Sequence, residues 1–361
     1  MNRRWICNDV WMDIFPSFDH AQLGLKLALL SPRFNALVDK HFDGKSELTI
    51  WKGIEISNDK GPEPILFVRI NDGFVPFPLP DRPLPSKIRF KHLEIKYIDH
   101  SVIAFLRSNR QIFDKRGTNL HLLWISSPYS TDGQRIWDVL AREIWPFFST
   151  NIRHLGFTCG DDLDHLLRLI SPTILTDLNQ LISINSYKLL PTAIGDDFDG
   201  PNSTISAGQA LTKWLHTPRK DDQPKRLLCQ DYSEQADFDW VNIFKELFLR
   251  ATISSVSYQI NFSFRVPPMQ MVPFELVNEL TKEKLTLAKG KIKKANSWIM
   301  KRYKIIGETA AVHWEENWYK NRNNVGFWLD IHPTNCIGPL SPPPEEVEEG
   351  AGQSITKLTN E

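Results

Sequence analysis

Residues 90–106 read FKHLEIKYIDHSVIAFL, and two hydrophobic periods meet inside them. Over Phe90–Tyr97, apolar and polar residues alternate, the period of a strand with one buried face. From Asp99 the period lengthens. Val102, Ile103, Phe105 and Leu106 fall at helical spacing, and Asp99 stands where its carboxylate can accept the unpaired N–H groups of a helix start. The unit then recurs along the chain. Leu120–Ile125 reads as a strand, followed by a helix over Gly133–Phe148; Ile152–Phe157 is a third strand, with Leu163–Ile170 as its helix. Strands at Leu181–Ile184, Arg226–Cys229 and Ser255–Phe262 continue the series, with helices at Ser206–Leu215 and Asp237–Leu249 between them.

Strands that alternate with helices of this length imply right-handed crossovers and a parallel sheet. The spacing is uneven, so no strict leucine-rich consensus is present. Neither GxGxxG nor GxxxxGK[ST] follows any of the strands, which argues against a doubly wound nucleotide-binding sheet. The expected class is α/β, an irregular leucine-rich-like β/α array over residues 87–262. Such a stack offers a long concave surface suited to gripping another protein.

On the C-terminal side, Lys284–Ala288 and Ser297–Met300 read as strands around the basic turn KGKIKK. Ala311, Trp314 and Trp318 share a helix face within Glu308–Arg322, and Val325, Phe327, Leu329 and Ile331 alternate as a last strand. That order predicts a compact β-β-α-β unit over 263–337. Residues 338–361 are proline-rich and acidic, the composition of a disordered tail. On the N-terminal side, residues 46–86 hold short strands at Glu47–Trp51 and Ile65–Ile70. The stretch GFVPFPLPDRPLPS (73–86) carries five prolines and is expected to be a stiff spacer, neither helix nor central strand. A ligand for an SH3-like domain is the alternative for it.

Lysine plus arginine and aspartate plus glutamate both number 43 in 361 residues, so the total charge attracts neither nucleic acid nor an acidic membrane. Cys7, Cys159, Cys229 and Cys336 form no CxxC pair, which fits a reducing compartment and argues against a zinc knuckle or disulfide scaffold. Neither a signal-peptide core nor a run of about 18 apolar residues is present. The expectation is a soluble protein of the cytoplasm or nucleus. The glycosylation-type triplets at Asn202 and Asn261 are then idle.

The densest apolar segment is NDVWMDIFPSFDHAQLGLKLALLSPRFNALVDKHF, residues 8–42. Asn8 or Asp9 can cap a first helix carrying Val10, Trp11, Ile14, Phe15 and Phe18, which Pro16 should distort or end. Asp19 can cap a second with Leu23, Leu27 and Leu30 on one face. Ser31-Pro32 marks a third, with Phe34, Leu37, Val38 and Phe42. Three short helices sit at the lower size limit for folding alone. Their apolar residues spread over more than one face, so either they dock on the rest of the chain or one side awaits a partner protein.

The segment resembles an F-box, the N-terminal module by which substrate receptors attach to the Skp-type adaptor of cullin-based ubiquitin ligases. The family's acidic start and apolar pairs match Asp9-Val10-Trp11-Met12-Asp13-Ile14-Phe15, and its following leucine matches Phe18. Its apolar pair, Val-Cys, basic and aromatic residues match Leu29-Leu30-Ser31-Pro32-Arg33-Phe34, and Asn35-Ala36-Leu37-Val38 fits the tail. The family opens with Leu-Pro where this chain has Ile6-Cys7, and its Val-Cys is Leu30-Ser31 here. The longer remainder is similar in general layout to the receptor region of roundworm F-box proteins. The resemblance implies an adaptor and, through it, a cullin scaffold as partners, with a protein target on the array. Ile6, Val10, Ile14, Phe15, Phe18, Leu27, Leu30 and Phe34 would then supply the module's core and its adaptor face together.

Chemistry-bearing clusters read better as structure. Gly195–Gly200 (GDDFDG) lacks the spacing and closing glutamate of a calcium loop. His313-Trp-Glu-Glu316 has no second histidine at zinc spacing. Asp161, Asp162, Asp164 and His165 are explained by capping a helix start, with an acid–base pair as the rival. Lys289, Lys291, Lys293 and Lys294, near Trp298 and Tyr303, fit a lysine-protected edge more closely than an RNA site. No GxSxG serine or Cys–His nucleophile pattern is present. The expectation is a non-enzyme without cofactor or metal. The rival reading is an α/β hydrolase or nucleotide-using enzyme whose first helices are only packing. Trp124, Trp137 and Trp145 are candidates for exposure on a binding surface.

Overall fold

The computed structural model describes residues 6–44, 49–51, 53–59, 61–70, 73–85, 88–90, 92–110, 118–123, 131–158, 160–193, 205–231, 239–252, 256–264, 271–290, 296–305, 325–331 and 337–338. The chain begins with α1 (Asn8–Ile14) and a 3-10 turn at Phe15–Ser17. Next, α2 (His20–Gln22) widens into a π-helical turn at Leu23–Leu27, and α3 (Pro32–Asp43) follows. Two caps fall where the sequence puts them. The Asp19 carboxylate accepts from the Ala21 N–H at 2.8 Å, and the Ser31 hydroxyl accepts from the Phe34 N–H at 3.3 Å. Asn8 and Asp9 do not cap α1. Cys7 holds the cap position with no side-chain bond to the helix backbone, its thiol donating to Asp9 Oδ2 at 3.7 Å, and the Asn8 amide oxygen accepts from Arg33.

Most of the remaining chain builds one thirteen-stranded mixed sheet. Its middle is parallel and runs β2 (Ile54–Ser57), β6 (His92–Ile95), β15 (Val325–Asp330), β7 (Thr118–Leu123), β8 (Ile152–Phe157), β9 (Ser183–Tyr187), β10 (Lys225–Asp231) and β11 (Tyr258–Phe264). Antiparallel strands extend both ends. Beyond β2 come β3 (Ile65–Ile70) and β4 (Gly73–Pro78); beyond β11 come β14 (Asn296–Lys304), β13 (Glu283–Lys289) and β12 (Phe274–Asn278). A separate pair joins β1 (Thr49–Trp51) to β5 (Ile88–Phe90).

Helices fill the crossovers in chain order. They are α4 (His100–Ser108), then α5 (Thr131–Val139), which runs through a π turn at Leu140–Ile144 into α6 (Trp145–Phe148). Next come α7 (Gly160–Leu169) and α8 (Ile174–Asp177), then α9 (Ala207–His216) and α10 (Asp239–Arg250). From β7 to β11 every step goes to the next strand in the same direction, so right-handed crossovers put the intervening helices on one side. Consistent with this, α5 packs on α7, and both α7 and α8 pack on α9.

The ladder registers explain the core. Val68, Ile54, Leu93, Leu120, Leu155, Ile184, Leu227, Ile260, Met300 and Leu287 occupy one row across the sheet, and each is buried. Phe327 holds the position between Leu93 and Leu120 in that row. Because strand side chains alternate faces, one row of aliphatic residues at the same pleat makes a continuous floor beneath the helices.

Several expectations are corrected in detail. The strand expected over Phe90–Tyr97 is two strands, β5 and β6, in different sheets. The proline-rich stretch 73–86 contains a strand after all, β4. It is the last strand on its side among the described residues, where Pro76 and Pro78 remove no ladder bond needed by an outer neighbour. The strand at Val325–Asp330 forms but joins the middle of the sheet, between β6 and β7, so residues 263–337 do not close into a unit of their own. Alternation identifies a strand and carries no record of its neighbours. Trp137 and Trp145 are buried and do not line a surface; Trp124 lies outside the described residues. The Gly195–Gly200 loop, the Asn202 triplet, the helix expected over Glu308–Arg322 with His313, Lys291, Lys293 and Lys294, and residues 339–361 also lie outside them. No helix among the described residues is long and apolar enough to cross a membrane.

Candidate protein-binding surfaces

The N-terminal helices are seated on the body by one side. Leu23 and Leu25 are buried, and Gly24 lies so close to the small sheet that a Cβ there would sit 3.3 Å from Ile88 Cδ1 and 3.5 Å from Trp51 Cζ2. The Lys26 ammonium stands 5.2 Å from the centre of the Phe77 ring. Inside the module, Trp11 meets Phe34 edge-on with centroids 4.9 Å apart, and Phe15 meets His41 at 5.7 Å.

This arrangement divides the residues the resemblance had left together. Phe15 is 0% exposed, so it is interior and cannot touch a partner. Ile14, Phe18, Leu27 and Phe34 are half-buried, and the last three pack against the core. Ile6 and Val10, each 46% exposed, and Leu30, 66% exposed, project outward. Arg33 holds these segments together: its Nη2 donates to the Ile6 carbonyl at 2.7 Å and to Asn8 Oδ1 at 2.6 Å. The result is an apolar strip across the start of α1 and the turn before α3.

The second surface is the sheet face turned away from the aliphatic row. There the register sets Glu55 beside Glu94, Glu94 beside Trp328, and on through Gly156, Asn185 and Leu228 to Asn261. The neighbouring row includes His92, His154, Ser183, Arg226 and Gln259. Lys96 bridges Glu55 at 3.0 Å and Glu94 at 3.6 Å. Burial raises the Glu94 carboxyl above the usual range, with Glu55 and Asp330 adding to it against Lys96. Burial pulls the Lys96 ammonium down, but its bond to Glu55 and the surrounding carboxylates outweigh this and raise it. His92 meets Trp328 edge-on at 4.7 Å, and burial with the Arg69 charge lowers its pKa. Apart from Asn261, noted only for its glycosylation-type triplet, none of these residues was singled out by sequence reasoning. Their signal was the polar half of each strand's alternation, invisible until the register aligned the strands.

The acidic cluster at α7 is structural in its contacts. Asp162 accepts from the Thr158 N–H and hydroxyl, each at 3.2 Å, and Asp164 accepts from the Ala207 N–H at 2.8 Å, so it tethers the start of α9. His165 stacks on Trp137 at 5.0 Å and bonds the Asp161 carbonyl at 2.6 Å. Lys289 lies 6.0 Å from the Trp298 ring, which is buried. Lys225, buried at the foot of β10, donates to the Trp214 and Thr217 carbonyls and so satisfies the end of α9; burial and the Arg219 charge push it down to about 7. Among the described residues no three His, Cys, Asp or Glu side chains converge to hold a metal ion. Comparison with family models, characterised proteins and solved structures gave no match to this chain.

Proposed function

We propose that this chain is a substrate-recognition subunit of a cullin-based ubiquitin ligase, resembling F-box receptors with an irregular leucine-rich-like β/α array. One observation carries the reading. The N-terminal helices already bury their inner side on the body, yet keep Ile6, Val10 and Leu30 outside on one tied strip. Exposed aliphatic residues grouped in this way mark a contact surface, whereas scattered ones do not. The strip would take the Skp-type adaptor. The strand order from β7 to β11 favours the same reading: it never reverses, and ligands of doubly wound enzymes bind where the order reverses. The sheet face turned away from the aliphatic row, with its half-buried charged, amide and aromatic groups, would hold the protein target. The chain would perform no chemistry itself. It would raise the effective concentration of the target beside a ubiquitin-carrying enzyme.

Co-expression of the full chain with a Skp-type adaptor tests this. The two should co-purify, and Ile6→Glu, Val10→Glu and Leu30→Glu together should abolish capture without moving the melting temperature, since all three side chains are outside the core. Failure of the wild-type chain to co-purify, or full retention by the triple variant, overturns the proposal.

A further inference from the structure

Lys225 is 4% exposed, yet among the described residues no carboxylate is in ion-pair contact with it. Its ammonium donates to the Trp214 and Thr217 carbonyls at the end of α9 and stands 5.2 Å from the centre of the Trp214 ring. Carbonyls and ring bring partial negative charge and orient the ammonium, but they do not neutralise it. A cation taken out of water is costly unless a full opposite charge reaches it.

Lys225 also lines a cavity of about 60 Å3 at the foot of the sheet, with room for a small polyatomic ion. The walls come from the loop between α9 and β10, the residues before β11, and the end of β14. Two more cations stand there, Arg219 and Lys304. Arg219 is held by Asp221, with Nε 2.8 Å from Oδ1 and Nη2 2.5 Å from Oδ2, and its Nη1 donates to the Leu181 carbonyl. Lys304 is exposed and makes no ion pair among the described residues. Against these three the wall sets one carboxylate, that of Asp222.

We propose that this cavity binds one tetrahedral oxyanion, a sulfate, a phosphate or the phosphoryl end of a monoester, as the counter-charge of Lys225. The three cations reach the cavity from two strands and a loop, so an anion there would also pin the end of α9 to β10 and β14. The site is separate from the adaptor and target surfaces and stands whether or not either is used.

Lys225 gives the site a pH signature. The charged and titratable groups around it are His216 from α9, Tyr258 from β11, Arg302 from β14 with Glu283 from β13, and the cavity's own Arg219, Asp222 and Lys304. Burial and the Arg219 charge push Lys225 down to about 7, whereas burial takes His216 to about 4 and Tyr258 upward. The charge that changes between pH 6 and pH 8 is therefore that of Lys225.

Isothermal titration of the full chain with sodium sulfate tests the proposal, with sodium chloride at matched ionic strength as the reference. Sulfate does not titrate near neutrality, so any proton exchanged belongs to the protein. Sulfate should bind saturably, one ion per chain. It should take up about half a proton at pH 7, read from the heats in two buffers of different ionisation enthalpy, and bind about tenfold more tightly at pH 6 than at pH 8. Lys304→Gln, at an exposed position, should weaken binding severalfold, and Lys225→Met should abolish both binding and proton uptake. No saturable heat beyond chloride, no proton uptake, or unchanged affinity in Lys304→Gln overturns the proposal. Inorganic phosphate and glycerol 3-phosphate then distinguish the source of the anion. Tighter binding of the ester assigns the site to a phosphoryl group on a larger molecule, and equal or weaker binding assigns it to the free ion.

Discussion

Arg33 places two donors on one oxygen of Asn8, Nε at 3.0 Å and Nη2 at 2.6 Å from Oδ1. The bond joins residues 25 positions apart and fixes the start of α1 against the start of α3. Ile6 and Val10 lie on the first of these segments and Leu30 beside the second, so the apolar strip depends on this tie. It also shows why Asn8 is not a cap: its side chain is committed across the module.

Arg33→Met keeps the aliphatic stem and deletes the donors. A hydrogen bond to a charged group contributes about 1–3 kcal/mol, and solvent exposure puts this one near the lower end. Amide exchange in α1 should quicken accordingly while the sheet strands keep their protection. If the strip binds the adaptor, capture should weaken about tenfold, in line with a loss near 1.4 kcal/mol. Unchanged exchange in α1 would show that the tie does not order it.

Gly24 sets how closely the module sits. In Gly24→Ala the new methyl meets Ile88 Cδ1 at 3.3 Å, a contact the flexible end of isoleucine can relieve. In Gly24→Leu the added bulk has only Trp51 and Ile88 to displace, and overpacking of this kind costs about 1–3 kcal/mol. Thermal melts should therefore separate the two variants, with leucine well below alanine.

Much of the fold was legible because it rests on local periods. The Asp99 cap and the Val102, Ile103, Phe105 and Leu106 face are as the sequence reads them, and Asp99 Oδ1 accepts from both Ser101 and Val102 N–H groups at 2.9 Å. Strand neighbours were not legible. Nothing local to Val325–Asp330 specifies the slot between β6 and β7, which is defined by strands some 200 residues upstream. The same limit hid the polar sheet face, since Glu94 and Trp328 become neighbours only through that pairing. Ile6, Val10 and Leu30 were legible as apolar residues. Their separation from interior Phe15 needed the packing of three helices at once.

His216 gives the C-terminal part of the sheet an acid sensitivity. Its Nδ1–H donates to the Thr212 carbonyl at 2.9 Å, and its ring lies against Phe244 and Tyr258. Burial pushes its pKa down to about 4, with the Arg302 and Lys225 charges adding to the shift against the Thr212 bond. The unfolded chain takes up the proton near the ordinary histidine value, about 6.5. Stability contributed by the neutral ring is thus intact above that value and is lost as the pH falls toward 4, by about 3 kcal/mol at that point. His216→Phe preserves the ring packing and removes the titration. Its melting temperature should fall less than wild type between pH 7 and pH 4.5, and parallel curves would refute the assignment.

Arg302 and Glu283 form a buried pair, with Arg302 Nε at 3.0 Å and Nη2 at 2.6 Å from Glu283 Oε2. Their side chains are 3% and 0% exposed. Removing one partner strands the other charge and costs about 3–5 kcal/mol, whereas an apolar pair of similar volume is often neutral. Glu283→Ala should therefore unfold far more easily in denaturant than the double variant Glu283→Leu, Arg302→Met. Equal losses would mean that packing, and not the stranded charge, sets the cost.

The placement of β15 makes the sheet depend on a strand that arrives last. Leu329 sits between Ile95 of β6 and Leu122 of β7 in one buried row. Without β15, β6 and β7 each lose a parallel partner, and the sheet has no other strand among the described residues to join its halves. Trp328→Pro removes a backbone N–H and constrains φ in the middle of that strand, at a position where central strands do not accept proline. Loss of the strand that joins the two halves of the sheet should weaken their coupling and turn a single unfolding transition into two. Scanning calorimetry reads this directly, and hydrogen exchange should show β6 and β7 deprotected before β10 and β11. A single transition merely shifted to lower temperature would mean that the N-terminal helices and crossovers suffice to couple the halves, and β15 would then be a filler of the slot and not its clasp.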